Sequence, residues 1–234
     1  MPIPASDVSQ TEVTAHECDD WPVVTRILAG DRDGFAQLTR RYNQRLFRVA
    51  RAIVHSDPEA EDVVQQAYVS VYLNLHQFEG RSSFSTWITR IAIHEAYALV
   101  RAGKRAAGIA PDDSSNEWLA GTYRATDPEQ QLSTREHVKL LEAAIAALLE
   151  SYRVPLVLRE VEGLSTAETA QCLELTEETI RVRVHRARVL LKDVLHDHAD
   201  AFLTNVFAFG GVRCDRMLRR VLAAITALES STES

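Results

Sequence analysis

The sequence predicts an all-α protein: two helical domains joined by a linker, with a helical extension at the C-terminal end. Three observations carry this. Apolar residues recur every three or four positions over most of the chain, and no stretch alternates as a half-buried strand does. Ala, Leu, Glu and Arg, which lose little on entering a helix, are abundant. Between residues 106 and 127 the periodicity gives way to Gly, Pro, Ser and Asp, the composition of a linker. A length of 234 residues suffices for two small domains.

Taken in order, residues 1–20 are polar and aperiodic and read as a disordered tail, where His16 and Cys18 alone make no metal site. A short helix is expected over Trp21–Ala29, stopped by Gly30. Asp31 or Asp33 then caps a helix reaching about Val54, with Phe35, Leu38, Tyr42, Leu46, Val49 and Ile53 inward. Arg40, Arg41, Arg45, Arg48 and Arg51 are expected on its outer side. Asp57-Pro58 starts the next helix, with Glu59, Glu61 and Asp62 at the positive end of its dipole. Its inward row is Val64, Ala67, Tyr68, Val71, Tyr72 and Leu75, and Glu79-Gly80 makes the turn after it.

The stretch from Ser83 to Arg105 carries two stripes. Phe84, Trp87, Ile88, Ile91, Ala98 and Leu99 are expected to face a core, while Arg90, His94, Tyr97, Arg101, Lys104 and Arg105 advance along another face. Stacked donors with an aromatic among them suit a nucleic-acid backbone and unstacked bases. Four helices with short links give a first domain over residues 21–105. In the 106–127 linker, Trp118 and Tyr123 are unusual for a spacer and point to docking or to cover for a neighbouring domain.

Asp127-Pro128 opens a second domain over residues 128–195. Leu132, Val138, Leu141, Ile145 and Leu148 mark a helix to about Glu150, followed by one over Tyr152–Glu162 that Gly163 stops. Ser165 and Glu168 form a capping box for a short helix, and Thr176 caps a longer one reaching about Leu195. Short helix, tight turn and longer basic helix is a helix-turn-helix pattern. Ile180, Val184, Ala187, Leu191 and Val194 make its inner stripe, with Arg181, Arg183, His185, Arg186 and Arg188 around the rest. Residues 196–234 add an apolar cluster at Phe202, Leu203, Val206, Phe207 and Phe209. An amphipathic helix through Leu218, Val221, Leu222, Ile225 and Leu228 then follows, with Arg216, Arg219 and Arg220 on its polar side. So apolar a segment is expected to pack back on one of the two domains and to modulate access to partners.

The net charge of −7 sets a puzzle for DNA binding that the local distribution resolves. Arg81 to Arg105 holds five Arg/Lys against one Glu, and Thr176 to Lys192 five against two. Such patches make phosphate contacts, but the acidic average calls for a large partner that supplies much of the affinity. No apolar run reaches spanning length and no leader pattern opens the chain, so a cytoplasmic protein without membrane insertion is expected. Cys18, Cys172 and Cys214 define no disulfide framework, and His196, His198 and Cys214 match no standard zinc spacing. With no nucleophile–base set and no phosphate-cradling loop, an enzyme is not expected, nor is any cofactor or metal.

These blocks together resemble the extracytoplasmic-function sigma factors of bacterial RNA polymerase. The likeness runs from about Val24 to Val194. It rests on A-G-D-R-D-G-F, D-P-E-A-E-D-V-V-Q-Q-A-Y and F-E-G-R-S-S-F-S-T-W-I-T-R-I-A-I-H in the first domain, and on Y-R-V-P-L-V-L-R-E-V-E-G-L-S and T-I-R-V-R-V-H-R-A-R in the second. The resemblance implies a four-helix sigma domain 2 and a helix-turn-helix sigma domain 4. Asp62, Gln65 and Gln66 fall where the family grips the coiled coil of the polymerase's largest subunit. Ser82, Ser83, Phe84 and Trp87, with the stripe from Arg90 to Arg105, fall where the −10 element is recognised and melted. Thr176, Thr179, Arg181, Arg183, His185, Arg186 and Arg188 fall on the helix that reads the −35 element. An anti-sigma partner is also implied. Gln66 stands where the family usually has an acidic residue, His94 where Asn is frequent, and Glu174 where Gly is favoured. Thr169 replaces a larger apolar residue and Val182 a small polar one. A repressor or activator is the competing reading, and it leaves the 83–105 stripe without a purpose. A decoy that holds polymerase without using promoters is a third.

Overall fold

The computed structural model describes residues 20–107, 134–192 and 206–232 of the chain. Among them every regular element is helical. The first group comprises α1 (Trp21–Leu28), α2 (Arg32–Val54), α3 (Asp57–Asn74), extended by a 3₁₀ turn over Leu75–Gln77, and α4 (Phe84–Ala106). The second comprises α5 (Thr134–Ala147), α6 (Glu150–Leu156), which widens into a π-helical turn over Val157–Val161, α7 (Thr166–Leu173) and α8 (Glu177–Leu190). The final helix is α9 (Val212–Thr232).

Local chemistry explains most of these boundaries. The Asp31 carboxylate accepts the backbone N–H groups of Asp33 and Gly34 at 3.0 and 3.3 Å, satisfying donors that α2 leaves unpaired. Ser83 Oγ does the same for Thr86 at the head of α4, at 3.1 Å. The Ser165–Glu168 box is reciprocal: Ser165 Oγ accepts from Glu168 N–H at 3.1 Å and Glu168 accepts from Ser165 N–H at 2.8 Å. Gly34 lets α1 and α2 approach closely, since a β-carbon there would lie 3.0 Å from Ile27 Cγ1. Inside the first group Phe35, Leu38, Leu46, Tyr68, Ile88 and Ile93 are fully buried, and the Tyr68 hydroxyl donates to the Thr39 carbonyl at 3.0 Å.

The two groups lie against each other, α6 on α2 and α7 on α4, while α9 lies across α2 and α3. This corrects the expected outer face of α2. Arg48 is buried and Arg45 and Arg51 are half-buried, because the second domain and the C-terminal segment cover that side. Arg45 and Arg48 both engage the Glu162 carboxylate at the end of the π-helical turn, at 3.1 and 3.2 Å. Arg153, only 2% exposed, donates to the carbonyls of Ala52, Ala146 and Leu148 at 2.6, 3.0 and 2.6 Å, tying α6 to α2. Burial and then nearby Arg51 depress this guanidinium, and the charges of Glu150 and Tyr97 oppose them, leaving it at about 10.

Other expectations shift by small amounts. Ala98 and Leu99 on α4 are exposed, and the inward row there is Ile88, Ala92, Ile93 and Ala96. Glu150 and Ser151 already belong to α6, and α8 is regular to Leu190 rather than Leu195. Val206, Phe207 and Phe209 are buried as expected, and Met217 joins Leu218, Val221 and Ile225 under α9. The tail up to residue 19, the linker from residue 108 with Trp118 and Tyr123, and Leu132, Val194, His196, His198, Phe202 and Leu203 lie outside the described residues.

Candidate nucleic-acid interface

Along α4 the cationic stripe is real but engaged. Arg90 and His94 are half-exposed and both face Glu174, which follows α7: Arg90 Nη2 lies 2.6 Å and His94 Nε2 3.6 Å from Glu174 Oε1. Arg101, Lys104 and Arg105 are exposed on the last turns, where positive charge suits the helix dipole. Trp87 is half-buried beside Phe78 and Phe84, with centroids at 5.3 and 5.7 Å, so one part of the indole is fixed and the rest faces outward. Phe84 is buried between Phe78 and Tyr42, and its contribution to this surface is to set the pose of Trp87. Ser82 and Ser83 border a cleft of about 600 Å³ shared with Arg45, Arg81 and Glu168. Tyr97 is drawn toward the second domain. Burial comes first, then the charge and hydrogen bond of Glu150, and together they push its hydroxyl well above the ordinary tyrosine range.

On α8, Thr176 Oγ1 caps the helix by accepting from Thr179 N–H at 3.2 Å. Arg181 pairs with Glu177 at 2.6 Å, Arg188 with Glu160 at 2.8 Å, and Arg186 reaches the Tyr152 hydroxyl at 3.3 Å. His185 is exposed. Arg183 turns toward α4 and lines a cleft of about 500 Å³ with His94, Tyr97, Arg101, Glu150 and Glu174. Both cationic helices therefore border one cleft between the two groups.

On α3, Asp62 and Gln66 are exposed and Gln65 is half-buried. Asp62 pairs with Arg220 of α9 at 2.8 Å. Periodicity did not reveal Glu150 and Glu174, which border the cleft with these cationic rows, or Glu162, the partner of Arg45 and Arg48 on α2. One signal was legible: Glu174 stands in a turn after a short helix, and its backbone is left-handed with φ 55° and ψ 41°. That conformation costs a non-glycine residue about 1 kcal/mol.

Among the described residues no helix is long and apolar enough to cross a membrane. Among the described residues the protein is all-helical and carries two separate cationic helices that border one cleft. The Sigma-70 region 2 model matches residues 38–106 and the Sigma-70 region 4 model residues 139–191. The chain is 33% identical over 180 residues to the RNA polymerase sigma-H factor of Pseudomonas aeruginosa, covering 75% of this chain and 93% of that one. With the ECF RNA polymerase sigma-E factor of Escherichia coli K12 it shares 32% over 178 residues, 74% and 93% of the two chains. With SigW of Bacillus subtilis it shares 28% over 184 residues, 74% and 95%.

The chain belongs to the extracytoplasmic-function sigma factors of RNA polymerase. It is an alternative sigma factor that binds core polymerase and promoter DNA, and it is not an enzyme. The fold agrees with two solved structures, each 23% identical to it. The Bartonella quintana sigma factor RpoE bound to the anti-sigma factor NepR gives a TM-score of 0.51 over 69% of this chain and 94% of that one. CnrH bound to the cytosolic domain of CnrY gives 0.54 over 76% and 98%.

Proposed function

We propose that residues 21–105 act as sigma domain 2 and residues 128–195 as sigma domain 4, joined by the 106–127 linker, with residues 1–20 a tail and 196–234 an extension. In this reading Asp62, Gln65 and Gln66 dock on the coiled coil of the polymerase's largest subunit. The head of α4, from Ser82 through Trp87, together with Arg90, His94, Tyr97, Arg101, Lys104 and Arg105, recognises and opens the −10 element. The head and outer face of α8, from Thr176 and Thr179 to Arg181, Arg183, His185, Arg186 and Arg188, reads the −35 element. The protein works in the cytoplasm, and an anti-sigma protein holds it in reserve, as NepR and CnrY accompany the two structural neighbours.

The observation that carries this assignment is the shared cleft: Arg90 and His94 on one side and Arg183 on the other face the same acidic residue, Glu174, or its surroundings. A charge row closed on itself in this way becomes a reading surface only when the domains part. Polymerase, which holds its two promoter elements at a fixed spacing, supplies the separation, and linkage then makes two weak DNA contacts cooperative.

Run-off transcription with purified core polymerase on a randomised promoter library tests it. Enrichment of both an upstream and a downstream element is expected. Arg186→Ala is expected to relax the upstream element, and Trp87→Ala to impair duplex templates far more than premelted ones. No polymerase-dependent transcript, or tight specific duplex binding without polymerase, overturns it in favour of a repressor or a decoy.

A further inference from the structure

We propose that α9 is a built-in competitor for the polymerase-docking face of α3, so that the chain must release this helix to join core polymerase. The inference rests on the assignment of Asp62 and its neighbours to polymerase docking.

The sequence of α3 begins with a dense acidic turn, Asp57, Glu59, Glu61 and Asp62. Against it α9 sets three arginines spaced by three and four residues, so they share one helical face. Arg213 reaches Glu61 at 3.0 Å and Asp57 at 3.2 Å, Arg216 reaches Glu61 at 3.1 Å, and Arg220 reaches Asp62 at 2.8 Å. The Glu61 side chain is left only 13% exposed. The contact is anchored at both ends. At its start the Phe209 ring stacks on Phe47 with centroids 4.5 Å apart, and the Arg213 guanidinium lies 4.6 and 5.0 Å from the two rings. At its end Glu229 accepts from Tyr72 and Arg32, one on α3 and one on α2.

The pattern suits a reversible mask better than a permanent part of the core. The apolar underside, Met217, Leu218, Val221 and Ile225, keeps the helix in place. The polar contacts to Asp62 remain open to water on one side, since Asp62 is 65% exposed, and exposed ion pairs are individually weak and exchangeable. A polymerase element that binds an acidic stretch must present cations to it, as α9 does. Two such elements cannot pair with one Asp62 carboxylate in the same geometry.

The test uses the full chain. Arg216→Gln/Arg220→Gln removes the ion pairs of these two arginines with Glu61 and Asp62 and leaves the apolar underside intact. It is expected to bind core polymerase about tenfold tighter than the parent in a fluorescence titration, two weakened pairs at roughly 1.4 kcal/mol in total being one decade. Amide hydrogen exchange on the unmutated chain gives a readout independent of any variant: core polymerase is expected to speed exchange over residues 212–232. Unchanged affinity of the double variant, or α9 protection that persists in the complex, overturns the proposal. Asp62→Ala in the double-variant background separates this from the parent reading. A loss of polymerase binding there keeps α3 as the docking face whether or not α9 competes; no loss removes the docking assignment, and the mask with it.

Discussion

At the scale of single residues, two left-handed positions are informative because the chain occupies them without glycine. Glu174 combines strain of about 1 kcal/mol with an exposed ion pair to Arg90, a contact of the kind worth about 0–1 kcal/mol. Glu174→Gly is therefore expected to leave the unfolding midpoint unchanged or raise it, while freeing Arg90 and His94 and widening the distance between α4 and α8. Calorimetry and energy transfer between dyes on the two helices check the two halves; a large loss of stability without separation contradicts both. His55, at φ 63°, closes α2. Burial first, then the charges of Arg153 and Arg51, hold its imidazole below the ordinary histidine value. The unfolded chain takes up the proton more readily, so stability is full above about pH 6.5 and falls as the pH drops through that value toward the depressed folded one. His55→Asn, which tolerates the left-handed backbone, is expected to flatten the stability profile below about pH 6.5. An unchanged slope in urea titrations at several pH values assigns the effect elsewhere.

At the scale of elements, the sequence announced helices more clearly than it announced their neighbours. The caps at Asp31, Ser165 and Thr176 are local chemistry, and all three accept the expected backbone donors. The inward row of α3 likewise follows from period alone. The arginines of α2 do not. Arg45 and Arg48 look like a solvated face until Glu162, more than a hundred residues later, comes to meet them, and no helical period encodes that distance. The same holds for Arg153, whose carbonyl partner on Ala52 is invisible in sequence. Ala98 and Leu99 fail for a simpler reason: they lie on the side of α4 that no other described helix covers, whereas Tyr97 and Val100 pack on the core. Because Arg48 and Glu162 are both more than nine-tenths buried, Glu162→Gln leaves two guanidiniums near an uncharged amide. Breaking a buried pair by removing one partner costs about 3–5 kcal/mol. The domains can hydrate Arg45 by parting, so the expected outcome is undocking rather than global unfolding. Small-angle scattering should show a larger radius of gyration with helicity unchanged by circular dichroism; a compact variant, or a collapse of helicity, refutes this.

For the whole molecule, net charge of −7 and two cationic helices are reconciled by closure. Glu150 and Glu174 border the cleft between α4 and α8, and Glu162 holds Arg45 and Arg48 of α2; on the proposed assignment, part of the acidic excess is an internal stand-in for phosphate. On that reading docking of the domains and binding of DNA compete, and competition has a quantitative signature. If closure weakens the affinity for a non-template-strand −10 oligonucleotide by some factor, the oligonucleotide must weaken closure by the same factor, since linkage between binding free energies is reciprocal. The two factors are measurable on the same chain. One comes from oligonucleotide affinity for the Glu162→Gln variant against the parent, the other from the shift in domain separation as oligonucleotide is added. Equality within error is expected, with both factors shrinking as salt rises because both depend on exposed charge. An oligonucleotide that binds both forms alike leaves closure without influence on promoter reading, and the shared cleft would then be a packing arrangement with no bearing on when this sigma factor acts.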